Sequence, residues 1–506
     1  MGLRRSLAAA SPIFGSSAPL WTAALPAVAF VAATLQLALS AVDPDYWWHL
    51  TTGRWILDHS RIPTTDPFSF THAGQNWYAH EWLSELALAL ADKIAGYSGG
   101  ILLTAVIVAA GAWLLGRAAR YYGATSLEAF LLVCGGSFFI LPNIAVRPQV
   151  FGWALFALVL HELAAHDSGV RPRLWQLAPI FLLWINVHLS ALMGGGAVAL
   201  YVLHRALRWW FSRGSERGCE WRRLRHAFLA AALAALALCL NPRGPALIWF
   251  SRTYLNPHAV RLRYIGEWQR PSFSGDDRWL FAAAAGIVVL TLLTALWQRR
   301  LWPGVLALVF AASALRATRY GPLFGIVAIP AAGWVVARFR LRRGLPVARP
   351  APRILWAGLA LCTLPAIWAG AWLRGPSQFR RVPDAHVGGY PVDAAAWVQQ
   401  HRPRPRLFNE YGWGGFLIYT FAPDRAVYMD GREEMYGERF FDHFVRTIDA
   451  EPGWQQTLRD AKIDAAILAP GGALATAMDN DPGWRRTYGD AVAVVYVPSD
   501  TTAKRP

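Results

Sequence analysis

The chain has 506 residues, 55% of them apolar and only 16% charged, with a formal net charge of +17. That is too apolar for an ordinary soluble protein, and runs near the ~20 residues needed to cross a bilayer recur along it. The positive charge gathers in short segments between those runs, which fits membrane topology and argues against a nucleic-acid partner.

Arg4 and Arg5 precede a first apolar run over residues 20–41. That run is as long as a full span, and the Asp43-Pro44-Asp45 after it is not a small-residue cleavage site, so no cleaved signal is expected. Further runs fall at 99–118, 126–142, 149–166, 174–188, 189–208, 226–241, 278–297, 301–317, 320–338 and 353–373. The chain therefore reads as an α-helical polytopic membrane protein with about eleven transmembrane helices, and the lipid bilayer is its first partner. Arg205, Arg208, Arg213, Arg217, Arg222, Arg223 and Arg225 crowd one connecting segment; Arg338, Arg340, Arg342, Arg343, Arg349 and Arg353 crowd another; Arg299 and Arg300 fill a third. The positive-inside bias puts all three on the cytoplasmic face of the inner membrane, together with the N-terminus. Residues 42–98 and the tail from 374 then share the extracytoplasmic side. Cys134, Cys219, Cys239 and Cys362 lie outside both of those segments, so neither a disulfide framework nor a cysteine metal site is supported.

The first outer segment opens with Asp43-Pro44-Asp45-Tyr46-Trp47-Trp48-His49-Leu50. Carboxylates are costly beside hydrocarbon, and a pair at the mouth of a span marks a functional site unless they only cap a helix. From Tyr46 to His59, Trp47, Leu50 and Leu57 form one helical stripe, which predicts an amphipathic helix in the interface plane. Residues 62–67 are turn chemistry, and a helical pattern resumes from Trp77 to Ile94, carrying His80, Glu81 and Glu85. In the tail, helical patterns at Val392–His401 and Trp454–Lys462 alternate with β-rich runs at Phe416–Phe421, Ala426–Met429, Asp464–Leu468 and Ala491–Val497. That alternation predicts a C-terminal extracytoplasmic α/β domain over 374–506, beside a bundle over 1–373.

Other ionisable residues also fall at the outer ends of spans: Arg147, His188, Arg243, Glu267, Arg316 and Arg319. Together with the acids of the first segment they describe a polar cavity opening outward. Transporters also carry intramembrane charges, but the polar groups here collect at one face rather than the midplane, and no internal repeat is visible.

These features resemble the GT-C superfamily of integral-membrane glycosyltransferases. Asp43-Pro44-Asp45-Tyr46-Trp47 is similar to the first-loop acidic motif of those enzymes. Asn409-Glu410-Tyr411-Gly412-Trp413-Gly414-Gly415, followed by Tyr428-Met429-Asp430-Gly431-Arg432, is similar to the Trp-Trp-Asp-Tyr-Gly motif of oligosaccharyltransferase catalytic subunits and the Asp-Gly beyond it. Phe408-Asn409-Glu410 departs from Trp-Trp-Asp, so recognition of an acceptor peptide is not carried over. The resemblance implies a sugar donor on a polyprenyl phosphate or diphosphate, transferred with inversion to an envelope acceptor. Asp43 or Asp45 would be the catalytic base. His49, Glu81, Arg147, His188, Arg243, Glu267, Arg316, Arg319, Glu410, Tyr411, Asp430 and Arg432 are the candidate substrate-binding residues. The second aspartate, with Glu81, offers oxygens to a divalent cation or simply holds the acceptor; metal dependence stays open. A translocase of a lipid-linked precursor and a non-catalytic scaffold are the alternatives.

Overall fold

A computed structural model describes residues 18–40, 42–171, 173–256, 259–271, 278–298, 302–345, 389–401 and 406–499. Helices occupy ten of the apolar runs: α1 (Ala18–Leu39), α4 (Tyr97–Tyr121), α5 (Ser126–Ile140), α6 (Pro148–Asp167), α7 (Leu177–Val187), α8 (Ala191–Phe211), α9 (Ser215–Leu238), α12 (Arg278–Gln298), α13 (Trp302–Arg316) and α14 (Gly321–Arg343). Two short helices, α10 (Ala246–Phe250) and α11 (Arg261–Tyr264), stand between α9 and α12, and the run at 353–373 lies outside the described residues. Among the described residues, four helices are long and apolar enough to cross a membrane alone: α4, α6, α5 with its 3-10 extension to Asn143, and α14 with the turn before it. The chain is a multi-pass membrane protein.

The bundle is organised around α4, which packs against α1, α6 and α14. Gly99, Gly100, Ala105, Ala109, Gly111 and Ala112 are buried on it, and small residues let helices approach closely where lipid offers no hydrophobic drive. The predicted Arg-rich loop after α8 is instead almost wholly helical, with only Ser212–Gly214 between α8 and α9. Arg205 does not face water there: it is buried and pairs with Asp167 at 3.2 Å and with Glu220.

The segment after α1 turns sharply at its start. α2 (Pro44–His59) leaves α1 at 102°. The predicted interfacial helix does not lie with its tryptophans in lipid. Trp47, Trp48 and Leu50 are buried, because the rings of Tyr390, Phe416 and Tyr419 from the tail close over Trp47 at 5.6, 5.4 and 4.9 Å. The second helix of the segment, α3 (Trp82–Ala95), starts later than the pattern from Trp77 suggested. Trp77 is buried instead in the non-helical stretch before it. α2 and α3 lie backbone to backbone at one point. A Cβ on Gly53 would overlap the Glu85 carbonyl oxygen, so only glycine allows that approach.

Near the C-terminus a four-stranded mixed sheet runs in the order β1 (Leu407–Asn409), β2 (Ala465–Leu468), β4 (Val494–Pro498), β3 (Trp484–Gly489). β1 and β2 are parallel; the other pairs are antiparallel. Helices at Val392–His401 and Trp454–Asp460 match the predicted ones. Phe416–Phe421, expected as a strand, belongs to the helix Gly414–Phe421, which packs on α2. A short run buried nearly throughout has no periodicity to tell strand from helix. Ala426–Met429 forms no strand either; Val427 makes isolated parallel bridges to Ser69 and Leu407. Through Ser69 the segment after α1 thus joins the edge of the tail's hydrogen-bonding network.

Candidate active site

Two X-Pro junctions set the acids against their counter-charge. Proline restricts the residue before it to extended backbone and is well placed at the first position of a helix. Asp43 precedes Pro44 and caps α2, accepting from the Asp45 amide at 2.9 Å. Arg147 precedes Pro148 at the start of α6, with the same extended conformation. The two helix starts meet, and Arg147 lies 3.4 Å from Asp43, pairs closely with Asp45, and stands 3.5 Å from Glu267. Glu267 in turn pairs with Arg319 at 3.1 Å, and the Arg319 guanidinium lies over Trp268 at 4.0 Å. The backbone of Glu267 is tied to the Arg319 turn, since Thr318 Oγ1 donates to its carbonyl at 2.9 Å. Asp43, Asp45, Arg147, Glu267 and Arg319 form one chain of alternating charge drawn from four separate parts of the sequence.

Asp45 keeps 22% of its side-chain surface exposed, enough for a ligand to reach it. Burial raises its carboxyl to about 7, with Arg147 opposing and Asp43 and Glu267 adding to the rise. The Trp48 indole donates to it at 3.1 Å. Burial also acts to raise Glu267, but Arg319 and Arg147 outweigh it and hold that group below the usual carboxylate range. Neighbouring carboxylates are therefore split between one held ionised and one that titrates around neutral pH, a division suited to proton transfer.

A second cluster lies one turn along α2. His49 Nδ1 is 3.0 Å from Glu85, and its Nε2 is 3.6 Å from Glu81. His188, in the break between α7 and α8, reaches Glu81 at 3.2 Å, and His80 stands 3.9 Å from it. α3 is docked on that break by Trp82 Nε1 donating to Asn186 at 2.9 Å and Ser84 Oγ donating to the Val187 carbonyl at 2.9 Å. Burial, followed by Arg147, His80 and His188, pushes His49 well below its ordinary value; burial and Glu81 push Glu85 well above its own.

The tail closes this region from the other side. A Cβ on Gly431 would overlap the Asp45 carboxylate, so the Asp430-Gly431-Arg432 turn sits directly on the acid. Asp430 and Arg432 themselves are fully buried. Arg432 donates to both Asp430 oxygens at 2.7 and 2.6 Å and to Asp66 of the first segment at 2.8 Å, between the rings of Phe68 and Trp77. This places them as the fastening between tail and first segment, not as groups facing a ligand. Glu410 is likewise engaged in the fold, accepting from the Ala469 amide at 3.0 Å, and Tyr411 packs on Phe441. Arg243 lies apart, clamping the Thr64 carbonyl at 2.6 Å and the Trp77 carbonyl while stacking on Tyr78. Arg316 is exposed at the end of α13 and belongs to none of these ion pairs.

Sequence reasoning named Asp43, Asp45, His49, Glu81, Arg147, His188, Glu267 and Arg319, and the structure brings all eight into the two adjoining clusters. It missed Asp66, and it noted Glu85 without placing it in the site, although the four-residue spacing from Glu81 was a usable signal. It also missed Glu433 and Glu434, just past Arg432. Burial raises Glu434 to about 7, and Glu81 is near enough to add to that rise.

No protein-family model and no curated protein matches the chain. Among solved structures, an oligosaccharyltransferase from Archaeoglobus fulgidus in its apo form is similar, at 10% identity and a TM-score of 0.51, covering 88% of this chain and 69% of that one. ArnT from Cupriavidus metallidurans, bound to undecaprenyl phosphate, aligns over 96% of this chain and 98% of its own, at 15% identity and a TM-score of 0.49. The likeness to the archaeal enzyme gives this chain a remote GT-C-like fold.

Proposed function

We propose that the protein is a membrane glycosyltransferase that moves a sugar from a lipid-phosphate carrier to an acceptor hydroxyl at the outer face of the cytoplasmic membrane. The observation that carries this reading is the Asp45 carboxyl. It is raised to about 7, still partly exposed, and paired with Arg147, which connects through Glu267 to Arg319. Asp45 takes the proton of the acceptor hydroxyl as its oxygen attacks the anomeric carbon. The bond from that carbon to the phosphate oxygen breaks, and the lipid phosphate leaves without needing a proton. Attack opposite the leaving group inverts the anomeric centre. The arginines suit the departing phosphate, since guanidinium binds it through parallel hydrogen bonds and neutralises the charge that develops.

Lipid access supports the same reading. An apolar cavity of about 100 Å³ lies among α1, α4, α5, α6 and α14, lined by Leu25, Ile107, Leu141, Ile144, Val150 and Trp153 among others. Two of its lining residues, Ile144 and Val150, lie three positions before and after Arg147, so the cavity is lined by the same turn of chain that carries the arginine proposed to hold the phosphate. Isoprenoid carbons fit such a lining, with their head group at the ion pairs above.

The test supplies purified protein with a polyprenyl-phosphate sugar pool and envelope acceptors, and follows donor consumption and acceptor glycosylation by mass spectrometry. Transfer that disappears in Asp45→Asn supports the proposal. Movement of intact lipid-linked sugar between leaflets, with the sugar–phosphate bond unbroken, would replace it with a translocase.

A further inference from the structure

We propose that the first turns of α9, with the α6–α7 turn beside them, hold the head group of an anionic phospholipid in the leaflet remote from the acid clusters. α6 begins beside Arg147 in the candidate site and runs for 20 residues, so its far end lies about 30 Å away. α8 likewise begins just past the His188 break and ends at Phe211, and only Ser212–Gly214 separate it from α9. On the topology proposed above, this is the cytoplasmic leaflet.

α9 has two faces of opposite character. Glu220, Ala227, Ala230, Ala234 and Ala237 are buried, on a helix that packs against α7 and α8. Leu229, Leu233 and Leu236 are exposed. Arg222 and Arg225, also exposed, precede those leucines at helical spacings of three and four, so the five residues share one face. On a multi-pass membrane protein an exposed leucine ridge faces hydrocarbon, and the two arginines stand at its end, where head groups lie. Trp221 and Phe228 are exposed beside them, as aromatic residues are at that depth. A free anion would meet the charges and leave the ridge unused. A phospholipid matches both: its acyl chains lie along the leucines, and its phosphodiester accepts paired hydrogen bonds from the guanidinium groups.

The balance of charge supports the same occupant. The acids at this end of the bundle are already engaged. Glu220 pairs with Arg205 and, at 3.1 Å, with Arg208; Asp167 pairs with Arg205 at 3.2 Å, and Glu162 with Arg171 at 2.8 Å. Among the described residues, Arg222, Arg223 and Arg225 pair with no acid. The α6–α7 turn adds to this excess. The Arg223 guanidinium reaches that turn, 3.1 Å from where a Cβ on Gly169 would stand, and Arg173 and Arg225 are both close enough for their charges to act on His226. Like charges one helical turn apart repel, and an anionic head group relieves them.

The inference does not rest on the transferase reading, because its readout is bound lipid. The full-length protein, purified in detergent, is titrated with phosphatidylglycerol or with phosphatidylcholine of the same acyl chains and followed by native mass spectrometry. Wild type is expected to retain phosphatidylglycerol in preference to phosphatidylcholine. Arg222→Gln combined with Arg225→Gln should weaken that retention roughly 30-fold, the product of two arginines each contributing about fivefold near an anionic surface. Arg342→Gln combined with Arg343→Gln removes the same charge from the exposed end of α14 and should leave retention unchanged. Tryptophan-monitored melting checks that both double variants are folded. Equal loss in the two double variants would overturn the site, leaving only a diffuse surface charge. Equal retention of the two lipids would overturn it as well. So would displacement of the lipid by an equal concentration of glycerol 3-phosphate, which carries the phosphate without the chains and would mark a site for a free anion.

Discussion

Asp45 titrates under the influence of two neighbours of opposite sign, which gives a test more specific than loss of activity. At about 7, the carboxyl is about half ionised at neutral pH. If the ionised form is the base, the rate should rise about tenfold between pH 6 and 8 and then level off. Arg147 lowers this value and Asp43 raises it, while Glu267 also raises it and Trp48 lowers it by donating. A unit charge about 5 Å away, at an effective dielectric of about 20, is worth roughly 3 kcal/mol, or about two pH units. With 22% of the side chain exposed, solvent reduces that to on the order of one unit. Asp43→Asn should therefore move the rising limb to lower pH, and Arg147→Gln should move it to higher pH, each by on the order of one unit. Asp45→Asn should lose ~10²–10⁴-fold across the whole range and show no limb. The assay is initial rate of transfer against pH at saturating donor. Limbs that shift in the same direction in Asp43→Asn and Arg147→Gln, or a limb that persists in Asp45→Asn, would refute the assignment.

Other expectations follow from the same contacts. Asp45 is protonated in the folded chain but ionised in the unfolded one between about 4 and 7, so it contributes less stability as pH rises through that window. Asp45→Asn should hence melt above wild type at pH 8, and the gap should close as pH falls toward 4, as followed by tryptophan fluorescence. Arg432→Met leaves Asp66 and Asp430 buried and unpaired; about 3–5 kcal/mol should be lost, and mild proteolysis should cut the tail first. Gly53→Val drives a side chain into the Glu85 backbone and should cost ~1–3 kcal/mol or more by thermal melting. Cysteines at the exposed positions Gln75 and Asn480, in a background without the native four, should both react with an impermeant maleimide on intact spheroplasts; labelling of one alone would reverse the proposed topology.

Much of the site was legible because it is written in local signals. Asp43 and Asp45 stood out as carboxylates at the mouth of a span and Arg147 as a charge at the end of one; that two X-Pro junctions set them face to face appears only in the structure. The histidine and glutamate cluster was only partly legible. Glu81 and Glu85 share a helix face, but their approach to His49 depends on Gly53, whose role appears only when α3 is laid against it. Asp430 and Arg432 were found by motif, but their burial and their bond to Asp66 depend on a partner 366 positions away, which no local signal carries. The helix at Gly414–Phe421 was misread for a related reason: its apolar run is covered by α2, and burial that nearly surrounds it erases the alternation that marks a strand.

The bond between Arg432 and Asp66 joins residues 366 positions apart. At ~5–20 residues per second, ribosomes need roughly 20–70 s to make the intervening chain. Throughout that interval the first segment exists with Asp66 lacking its cation and Trp47 lacking the rings of Tyr390, Phe416 and Tyr419. On the topology proposed, the contacts that seat its aspartates form only once the tail has reached the same side and docked. On the function proposed above, biogenesis therefore imposes its own order: a chain stopped before Tyr390 carries Asp43, Asp45, Glu81 and Glu267 but lacks the rings and the Arg432 cation that hold the segment bearing the aspartates.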